Sequence, residues 1–326
     1  MSVQNSTPSV QTTEKQSQDG NDHGKHMPDN VISSVQNSVQ RDTHSHIKSH
    51  TRRRLVAGSV AAGFAQASAP VWAQAVKTDF AGIKAGESNM PAGQDSIPVY
   101  MARPDTGTGP WPVVVVVSEI FGVHEYIADV CRRFAKAGYM AVAPEFFYRI
   151  GDPGSLATIA EIQSQIVSQT ADSMVMADIG HALDWAGKQG GDLRRAAITG
   201  FCWGGRITWL ACAHHPQLKA GVAWYGRLTG DRNERFPRHP LDVADTLKAP
   251  VLGLYGSADT GIPMPQVEQM QRKLRESNNP VSRNSHIRVF VDAPHAFHAD
   301  YRATYREGPA REGWADALAW LKQHMT

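Results

Sequence analysis

The hexapeptide GFCWGG at residues 200–205 stands between an apolar run at 196–199 and a helix-like run at 206–211. This order predicts a strand, a tight turn and a helix, with Cys202 at the turn. The small residues two positions before and after the cysteine permit the sharp bend of a nucleophile elbow, in which a thiol replaces the usual serine hydroxyl. We expect the Trp203 N–H to lie at a helix N-terminus, which favours negative charge on an oxyanion or a thiolate. The alternative is a buried structural cysteine.

Apolar runs alternate with amphipathic runs on both sides of this turn. Five consecutive valines at 113–117 predict a central strand that is covered on both faces. The other predicted strands are 76–84, 97–103, 139–143, 195–199, 222–225, 251–255 and 287–291, with a Gly/Pro turn at 90–93. The predicted helices are 124–138, 155–187 (as one helix or two), 205–213, 266–277 and 309–324. This alternation predicts an α/β fold, with a mainly parallel sheet of about seven or eight strands and helices on both faces.

The composition is that of an ordinary globular protein. The 326 residues are 41% hydrophobic and 20% charged, with a net charge of +2. This charge indicates neither nucleic acid nor an acidic surface as a partner, and we expect a monomer or a small homo-oligomer. Three cysteines are too few for a disulfide scaffold. Besides Cys202, the cysteines Cys131 and Cys212 are either buried apolar residues or a disulfide pair.

The first 75 residues differ in composition from the rest of the chain. Residues 1–50 are rich in Ser, Gln, Asn, Asp and His and lack long apolar runs, so we expect a disordered polar leader, with Met27 as an alternative start. Residues 51–75 then combine the basic run RRR at 52–54, a short apolar stretch and an A-x-A ending at Ala75. This order is typical of an export signal cleaved after Ala75.

The paired arginines before a weakly apolar stretch resemble the twin-arginine signal, whose export machinery carries folded proteins. An ordinary Sec signal and an uncleaved anchor remain alternatives. Cleavage would leave residues 76–326 as one α/β domain, either periplasmic or secreted. Export in the folded state would also protect a free thiol in an oxidising compartment.

Two candidates for partners of Cys202 follow it at the ends of predicted strands. Asp259 comes after the strand 251–255, and His295 comes after the strand 287–291. The order of nucleophile, acid and histidine is that of α/β-hydrolases, and functional groups in parallel sheets lie at the carboxyl ends of strands. Alone, Asp259 could cap the next helix, and His298 competes with His295 for the role of base.

Glu119 directly follows the valine strand. A carboxylate at the end of a buried strand is costly unless it is paired or hydrogen-bonded, which favours a functional role over that of a simple helix-start charge. The same loop supplies the second oxyanion N–H in α/β-hydrolases, here from Ile120, in addition to the N–H of Trp203.

Four pieces of sequence together resemble the dienelactone hydrolase (carboxymethylenebutenolidase) family: EIFGV at 119–123, GFCWGG at 200–205, the Asp259 loop and HAF at 295–297. The resemblance extends over roughly residues 79–326. It implies an α/β-hydrolase fold, a Cys-His-Asp triad and no metal or organic cofactor. It also implies that Glu119 contacts the thiol and helps to form the thiolate. The family's histidine pattern places the catalytic histidine at His295.

One feature of the family is missing. In its well-known members arginines bind the substrate carboxylate, one of them four residues after the catalytic histidine, where this chain has Ala299. The helical stretch after Pro153 has no arginine before Arg194. Four arginines could replace this charge, and the sequence does not distinguish among them: Arg149, Arg206, Arg227 and Arg302.

These features predict a hydrolase that cleaves a small ester or lactone through a thioester on Cys202. Aromatic residues, chiefly Phe146 and Tyr225, either line an apolar substrate pocket or pack in the core. The alternative functions are a periplasmic thiol protein with redox or peroxide chemistry, and a non-catalytic binding module on the same scaffold. The chain has no C-x-x-C motif, which disfavours the redox alternative.

Overall fold

The computed structural model describes residues 76–326, so the predictions for the leader and the export signal lie outside the described residues. Eight strands form a single sheet: β1 Ile83–Ala92, β2 Asp95–Pro104, β3 Trp111–Val117, β4 Met140–Pro144, β5 Gly191–Phe201, β6 Leu218–Trp224, β7 Val251–Gly256 and β8 His286–Phe290. The longer helices are α1 Glu125–Lys136, α2 Asp172–Lys188, α3 Trp203–His214, α4 Met264–Glu276 and α5 Glu307–His324. Short helical segments are Pro153–Ser155, Ile159–Glu161, Ile162–Ile166, Val167–Gln169, Pro240–Val243 and Pro280–Arg283.

The sheet has the strand order β1-β2-β4-β3-β5-β6-β7-β8. The pairs β1–β2 and β2–β4 are antiparallel, and all the others are parallel. All five valines of β3 are fully buried, so both faces of this strand are covered. The predicted mainly parallel sheet of seven or eight strands is confirmed.

The first predicted strand is wrong. Residues 76–84 were expected to form it, but β1 runs from Ile83 to Ala92 and turns at Gly93, so the predicted turn at 90–93 lies mostly inside the strand. Pro91 is tolerated within β1 because β1 is an edge strand, where a missing N–H removes no ladder bond. The chain before β1 crosses helix α1, where Thr78 bonds to Asp129.

The predicted helix over 155–187 is interrupted. Only its second half is a regular α-helix, α2, while residues 153–169 form short helical turns of different pitch. Thr170, which is fully buried, separates the two halves. Of the described helices, none is long and apolar enough to cross a membrane.

The strand register brings distant loops to one edge of the sheet. Val117 of β3 pairs with Gly200 of β5, and Phe201 of β5 pairs with Trp224 of β6. Strand β6 pairs with β7, which in turn pairs with β8. The loops that follow β3, β5, β7 and β8 therefore meet at the carboxyl edge, which is where parallel sheets place functional groups.

Candidate active site

Cys202 occupies a strained turn between β5 and α3. Its backbone has φ 56° and ψ −112°, a conformation that costs a non-glycine residue energy and recurs at functional sites. A Cβ on Gly200 would collide with the Gly204 backbone, and a Cβ on Gly204 would collide with the carbonyl of Val117. The two glycines therefore allow the close approach of strand and helix that holds Cys202 at the edge of the sheet, partly exposed.

His295 and Asp259 meet although they are 36 positions apart in the sequence. The His295 Nδ1 lies 2.7 Å from the Asp259 Oδ2. The other carboxylate oxygen, Oδ1, accepts hydrogen bonds from the backbone N–H groups of Gly261 at 2.9 Å and Ile262 at 3.2 Å. Asp259 is 4% exposed. The acid is thus fixed by its own loop and in turn orients the imidazole.

The same imidazole interacts with the Cys202 thiol. Burial acts to lower the pKa of His295, but the electrostatic interaction with Cys202 and the hydrogen bonds to Asp259 and Cys202 outweigh it and raise this pKa to about 10. The three side chains form a continuous thiol–imidazole–carboxylate chain. Such a chain can move a proton from sulfur to nitrogen.

His298 has a structural environment. It is 2% exposed, its Nδ1 lies 2.6 Å from the Tyr126 hydroxyl, and its ring centroid lies 4.4 Å from that of Trp224. Burial, followed by the charge of Arg133, lowers its pKa well below the usual range. Its ring nitrogen is committed to a tyrosine in the interior, so His295 is the histidine that is available to the thiol.

Glu119 is fully buried and held by three side chains. The Tyr301 hydroxyl donates to its Oε2 at 2.5 Å, the His124 Nε2 lies 3.8 Å from the same oxygen, and an Arg302 nitrogen lies 3.7 Å from Oε1. Burial acts to raise the pKa of Glu119, but the interactions with His124 and the charge of Arg302 outweigh it and lower this pKa. Glu119 is therefore an anion in the interior, next to the loop that faces Cys202.

The two backbone groups expected at an oxyanion hole lie on neighbouring segments. Trp203 is the first residue of α3, so its N–H has no partner within the helix. Ile120 is buried three residues after the end of β3, and β3 is the strand paired with β5. Both segments thus border Cys202 from the carboxyl edge.

The two predicted pocket aromatics differ in position. Tyr225 is buried, and its ring stands edge-on to the His295 ring, with centroids 5.2 Å apart. Phe146 is fully buried and packs against Trp203, with centroids 6.2 Å apart. Tyr225 therefore lies against the base, whereas Phe146 lies behind the indole.

Among the candidate arginines, Arg302 is next to the site. Its guanidinium lies over the Phe121 ring, 5.4 Å from the centroid, and its charge acts on Cys202. Arg149 pairs with Asp178 at 2.7 Å, and Arg206 forms a two-pronged bond with Asp172. Arg227 is exposed.

All three cysteines are free, so Cys131 and Cys212 do not form the disulfide that the sequence left open. Burial raises the pKa of both these thiols, and they behave as apolar core residues. Cys202 is the cysteine with both exposure and an imidazole partner.

Sequence reasoning did not identify the residues that hold Glu119. Tyr301 and His124 come from different loops, and Tyr301 lies 182 positions from Glu119. No periodicity connects such residues. The available signal was chemical: a buried carboxylate requires partners, and Tyr301 and Arg302 lie shortly after the catalytic-type histidine in the chain.

Comparison with known proteins places this chain among hydrolases. The sequence profile of the dienelactone hydrolase family matches residues 97–325. A protein of Escherichia coli O157:H7 named "Putative carboxymethylenebutenolidase" is 51% identical over 262 residues, which are 80% of this chain and 95% of that protein. A Bradyrhizobium protein named "Probable 2-oxo-3-(5-oxofuran-2-ylidene)propanoate lactonase" is 31% identical over 229 residues, 69% of this chain and 89% of that protein.

A crystal structure described as a "Putative Dienelactone Hydrolase" from Klebsiella pneumoniae has the same fold. It is 51% identical in sequence, with a TM-score of 0.72, and the match covers 74% of this chain and 99% of that one. The eight-stranded, mostly parallel sheet with its helices is therefore an α/β-hydrolase fold.

Proposed function

Because this chain belongs to the dienelactone hydrolase family and is a carboxymethylenebutenolidase-like ester or lactone hydrolase, we propose that Cys202, His295 and Asp259 perform its reaction through a thioester. The observation that carries this proposal is that the His295 ring interacts with both Cys202 and Asp259. Its Nδ1 lies 2.7 Å from the Asp259 Oδ2, and the ring also interacts with the Cys202 thiol. A thiol, an imidazole and an orienting carboxylate are the parts of an activated nucleophile.

In the proposed reaction the His295 ring takes the Cys202 proton, and the sulfur attacks the substrate carbonyl. The N–H groups of Ile120 and Trp203 stabilise the oxyanion; loss of one such donor costs about 10²–10³ in rate in other enzymes. The carbon–oxygen bond to the leaving alkoxide then breaks, and His295 gives this oxygen its proton. For a lactone, the new hydroxyl remains part of the acyl group.

Water then completes the turnover. His295 takes a proton from the water, whose oxygen attacks the thioester carbonyl. The carbon–sulfur bond breaks, the carboxylic acid is released, and the sulfur recovers its proton. Glu119 assists by holding the charge of Arg302 near Cys202. Its own negative charge opposes proton loss from the thiol, and Arg302 offsets that effect.

We further propose that the substrate carries a carboxylate, which Arg302 binds. This residue contacts Glu119 and acts electrostatically on Cys202, and its side chain is 25% exposed. It would replace the arginine expected at Ala299. The Bradyrhizobium relative is named for a lactone that carries a carboxylate, which is the substrate class we infer here.

The nucleophile is tested with Cys202→Ala, assayed on p-nitrophenyl acetate and a panel of lactones. We expect turnover to fall by at least about 10³-fold, and the acyl adduct seen by intact-protein mass spectrometry to disappear. Cys212→Ala is the matched control, since it removes a buried thiol from α3, the helix that follows Cys202, and should retain the adduct. Undiminished turnover in Cys202→Ala would refute the assignment.

The carboxylate site is tested separately with Arg302→Met. We expect KM for a carboxylate-bearing lactone to rise by about 10–100-fold, as for the loss of a charge-assisted bond. Turnover of neutral p-nitrophenyl acetate should change much less. An equal loss with both substrates would assign Arg302 to the support of Glu119 instead.

We also propose that the protein acts outside the cytoplasm. The pattern of residues 51–75 supports export by the twin-arginine machinery, with cleavage after Ala75. Mass spectrometry of the protein from the periplasm of its host would give the mature N-terminus. Recovery of the full-length chain in the cytoplasm alone would contradict export.

A further inference from the structure

A partly buried cluster of charges joins helix α1 to the loop after β8 and takes no part in the triad. Its members are Glu125, Asp129, Arg132, Arg133 and Asp300. Arg132 bonds to Glu125 at 2.5 Å and to Asp129 at 3.0 Å, and Arg133 bonds to Asp129 at 2.6 Å and to Asp300 at 2.5 Å. The side chains of Asp129 and Asp300 have no exposed surface. Since three carboxylates meet two guanidinium groups, the cluster has a net charge of −1.

The first described residues of the chain dock on this cluster. The Thr78 backbone N–H donates to Asp129 Oδ1 at 2.6 Å, and the Thr78 carbonyl accepts from Arg132 Nε at 3.1 Å. Two residues earlier, the Val76 backbone N–H approaches the Asp300 carboxylate as a donor. The segment before β1 is thus held with its N-terminal end at Asp300.

These contacts fill only part of the hydrogen-bonding capacity of the Asp300 carboxylate. Its Oδ2 bonds to Arg133, whereas its Oδ1 is buried and has no hydrogen bond of full geometry within residues 76–326. Burial, only partly opposed by Arg133, raises the pKa of Asp300 to about 6. A buried carboxylate in this position gains from any further cation.

We propose that Asp300 is the binding site for the α-ammonium group that cleavage after Ala75 creates at Val76. Hydrolysis of the Ala75–Val76 peptide bond consumes one water, leaves a carboxylate on Ala75 and turns the Val76 amide into a primary amine, which is largely protonated at neutral pH. The ammonium takes the place of an uncharged N–H and neutralises the cluster. The chain therefore binds its own new N-terminus.

This site adjoins the candidate active site. Asp300 directly precedes Tyr301 and Arg302, both of which contact Glu119. An ammonium on Asp300 would hold this part of the loop more firmly. Only such an effect on activity rests on the proposed hydrolase function; the binding of the N-terminus does not.

The test uses the full chain, with residues 71–75 replaced by the enteropeptidase sequence DDDDK, so that cleavage leaves Val76 first. A matched version with DDDDK at 70–74 leaves Ala75 first and moves the ammonium by one residue, about 3.8 Å.

We expect cleavage before Val76 to raise Tm by about 3 °C or more, and cleavage before Ala75 to raise it by less than half as much. In the Asp300→Asn variant, cleavage before Val76 should no longer raise Tm. Equal gains for the two N-termini would overturn the proposal.

The amine itself gives a second readout that needs no variant of Asp300. Cyanate reacts only with the unprotonated amine, so an ion-paired ammonium reacts slowly. At pH 7 we expect the Val76 amine to react about tenfold more slowly than the Ala75 amine, the effect of a pKa raised by about one unit. Equal rates would overturn the proposal. Neither readout uses catalysis, so both hold even if the protein hydrolyses no ester.

Discussion

His295 and His298 are three residues apart after strand β8, yet their surroundings give the two rings opposite properties. The His295 ring lies beside Cys202 and Asp259 with 35% of its side chain exposed, and its pKa is raised. The His298 ring lies among aromatic rings with 2% exposure, and its pKa is lowered. The difference teaches that burial and neighbouring charged groups together decide the chemistry of a histidine, whereas its place in the chain does not.

The backbone produces this contrast by turning inward. We refer to residues 292–297 as the rim segment and to residues 298–302 as the interior segment. The rim segment contains two non-glycine residues with positive φ, Asp292 at 56° and Ala296 at 60°. Bonds from the Ala299 N–H to the Ala296 carbonyl and from the Arg302 N–H to the Ala299 carbonyl then close successive turns. Reacting groups thus lie on the rim, and supporting groups lie inside.

The largest expected effect separates the two histidines. His295→Asn should lower kcat/KM by about 10⁴. Near pH 10, where the stabilisation by the imidazolium is lost, it should change the free energy of unfolding by less than about 1 kcal/mol, because the ring is partly exposed. His298→Ala should lower the free energy of unfolding by about 2–4 kcal/mol, because it leaves a cavity among the rings and strands the Tyr126 hydroxyl. Ester turnover and urea unfolding measure the two quantities.

The folded fraction of His298→Ala should retain kcat/KM within about tenfold of the wild type, since its ring has no contact with the thiol. If His298→Ala instead lost as much activity as His295→Asn at unchanged stability, the division between rim and interior would be wrong. The catalytic base would then be His298.

The second effect concerns Asp259, the acid that contacts His295 of the rim segment. Asp259→Asn keeps an oxygen that can accept from the Gly261 and Ile262 N–H groups, so the loop should persist. It removes the charge that orients His295, and we expect kcat to fall by about 10³. Asp292→Asn makes the same chemical change at an exposed rim position where asparagine tolerates positive φ. This control should stay within about twofold of the wild type; equal losses would reject the role of Asp259.

The third effect is a titration. NMR of the His295 ring should give a midpoint near pH 10 in the wild type, because the interactions with Cys202 and Asp259 favour the imidazolium. Cys202→Ala should lower this midpoint by about one pH unit or more. A folded-state pKa above the unfolded value of about 6.5 means that the stabilisation is complete below pH 6.5 and is lost towards pH 10. The wild-type Tm should therefore fall more steeply over this range than that of Cys202→Ala. Identical midpoints would show that Cys202 does not act on the His295 ring.

The three triad residues were more predictable from the sequence than the buried residues that support them. A cysteine between glycines after an apolar run has a local physical reason, and Asp259 and His295 each follow a recognisable strand. Parallel strands place such loops together without knowledge of side-chain contacts. These positions could therefore be read from local patterns and their order along the chain.

The buried residues that support the triad and the charge cluster depend on contacts that local patterns do not encode. Asp129 and Arg133 have the spacing of an ordinary surface ion pair on a helix, and only the tertiary fold buries them beneath Thr78 and Asp300. The mistaken strand at 76–84 has the same cause. Its alternating residues suit a strand, but its polar backbone is bonded to buried charges on α1 instead of to the sheet.

The smallest expected effect links the interior to the rim. Tyr301→Phe removes the hydroxyl that donates to Glu119 at 2.5 Å but keeps the ring. Among the groups that lower the pKa of Glu119, Tyr301 contributes less than His124 and Arg302, so the carboxylate should remain anionic near neutral pH. We expect kcat/KM to fall by about tenfold, the equivalent of one hydrogen bond to a charged group, with little change in KM.

Tyr305→Phe is the control, since it removes a hydroxyl from the same loop away from Glu119. The pH profile distinguishes positioning from mere packing. Loss of a donor to the anion raises the pKa of Glu119, so the acid limb of kcat/KM should move to higher pH in Tyr301→Phe and stay in place in Tyr305→Phe. An unmoved acid limb with a tenfold lower rate would mean that Tyr301 acts by packing, and the interior segment would then support the rim only by its shape.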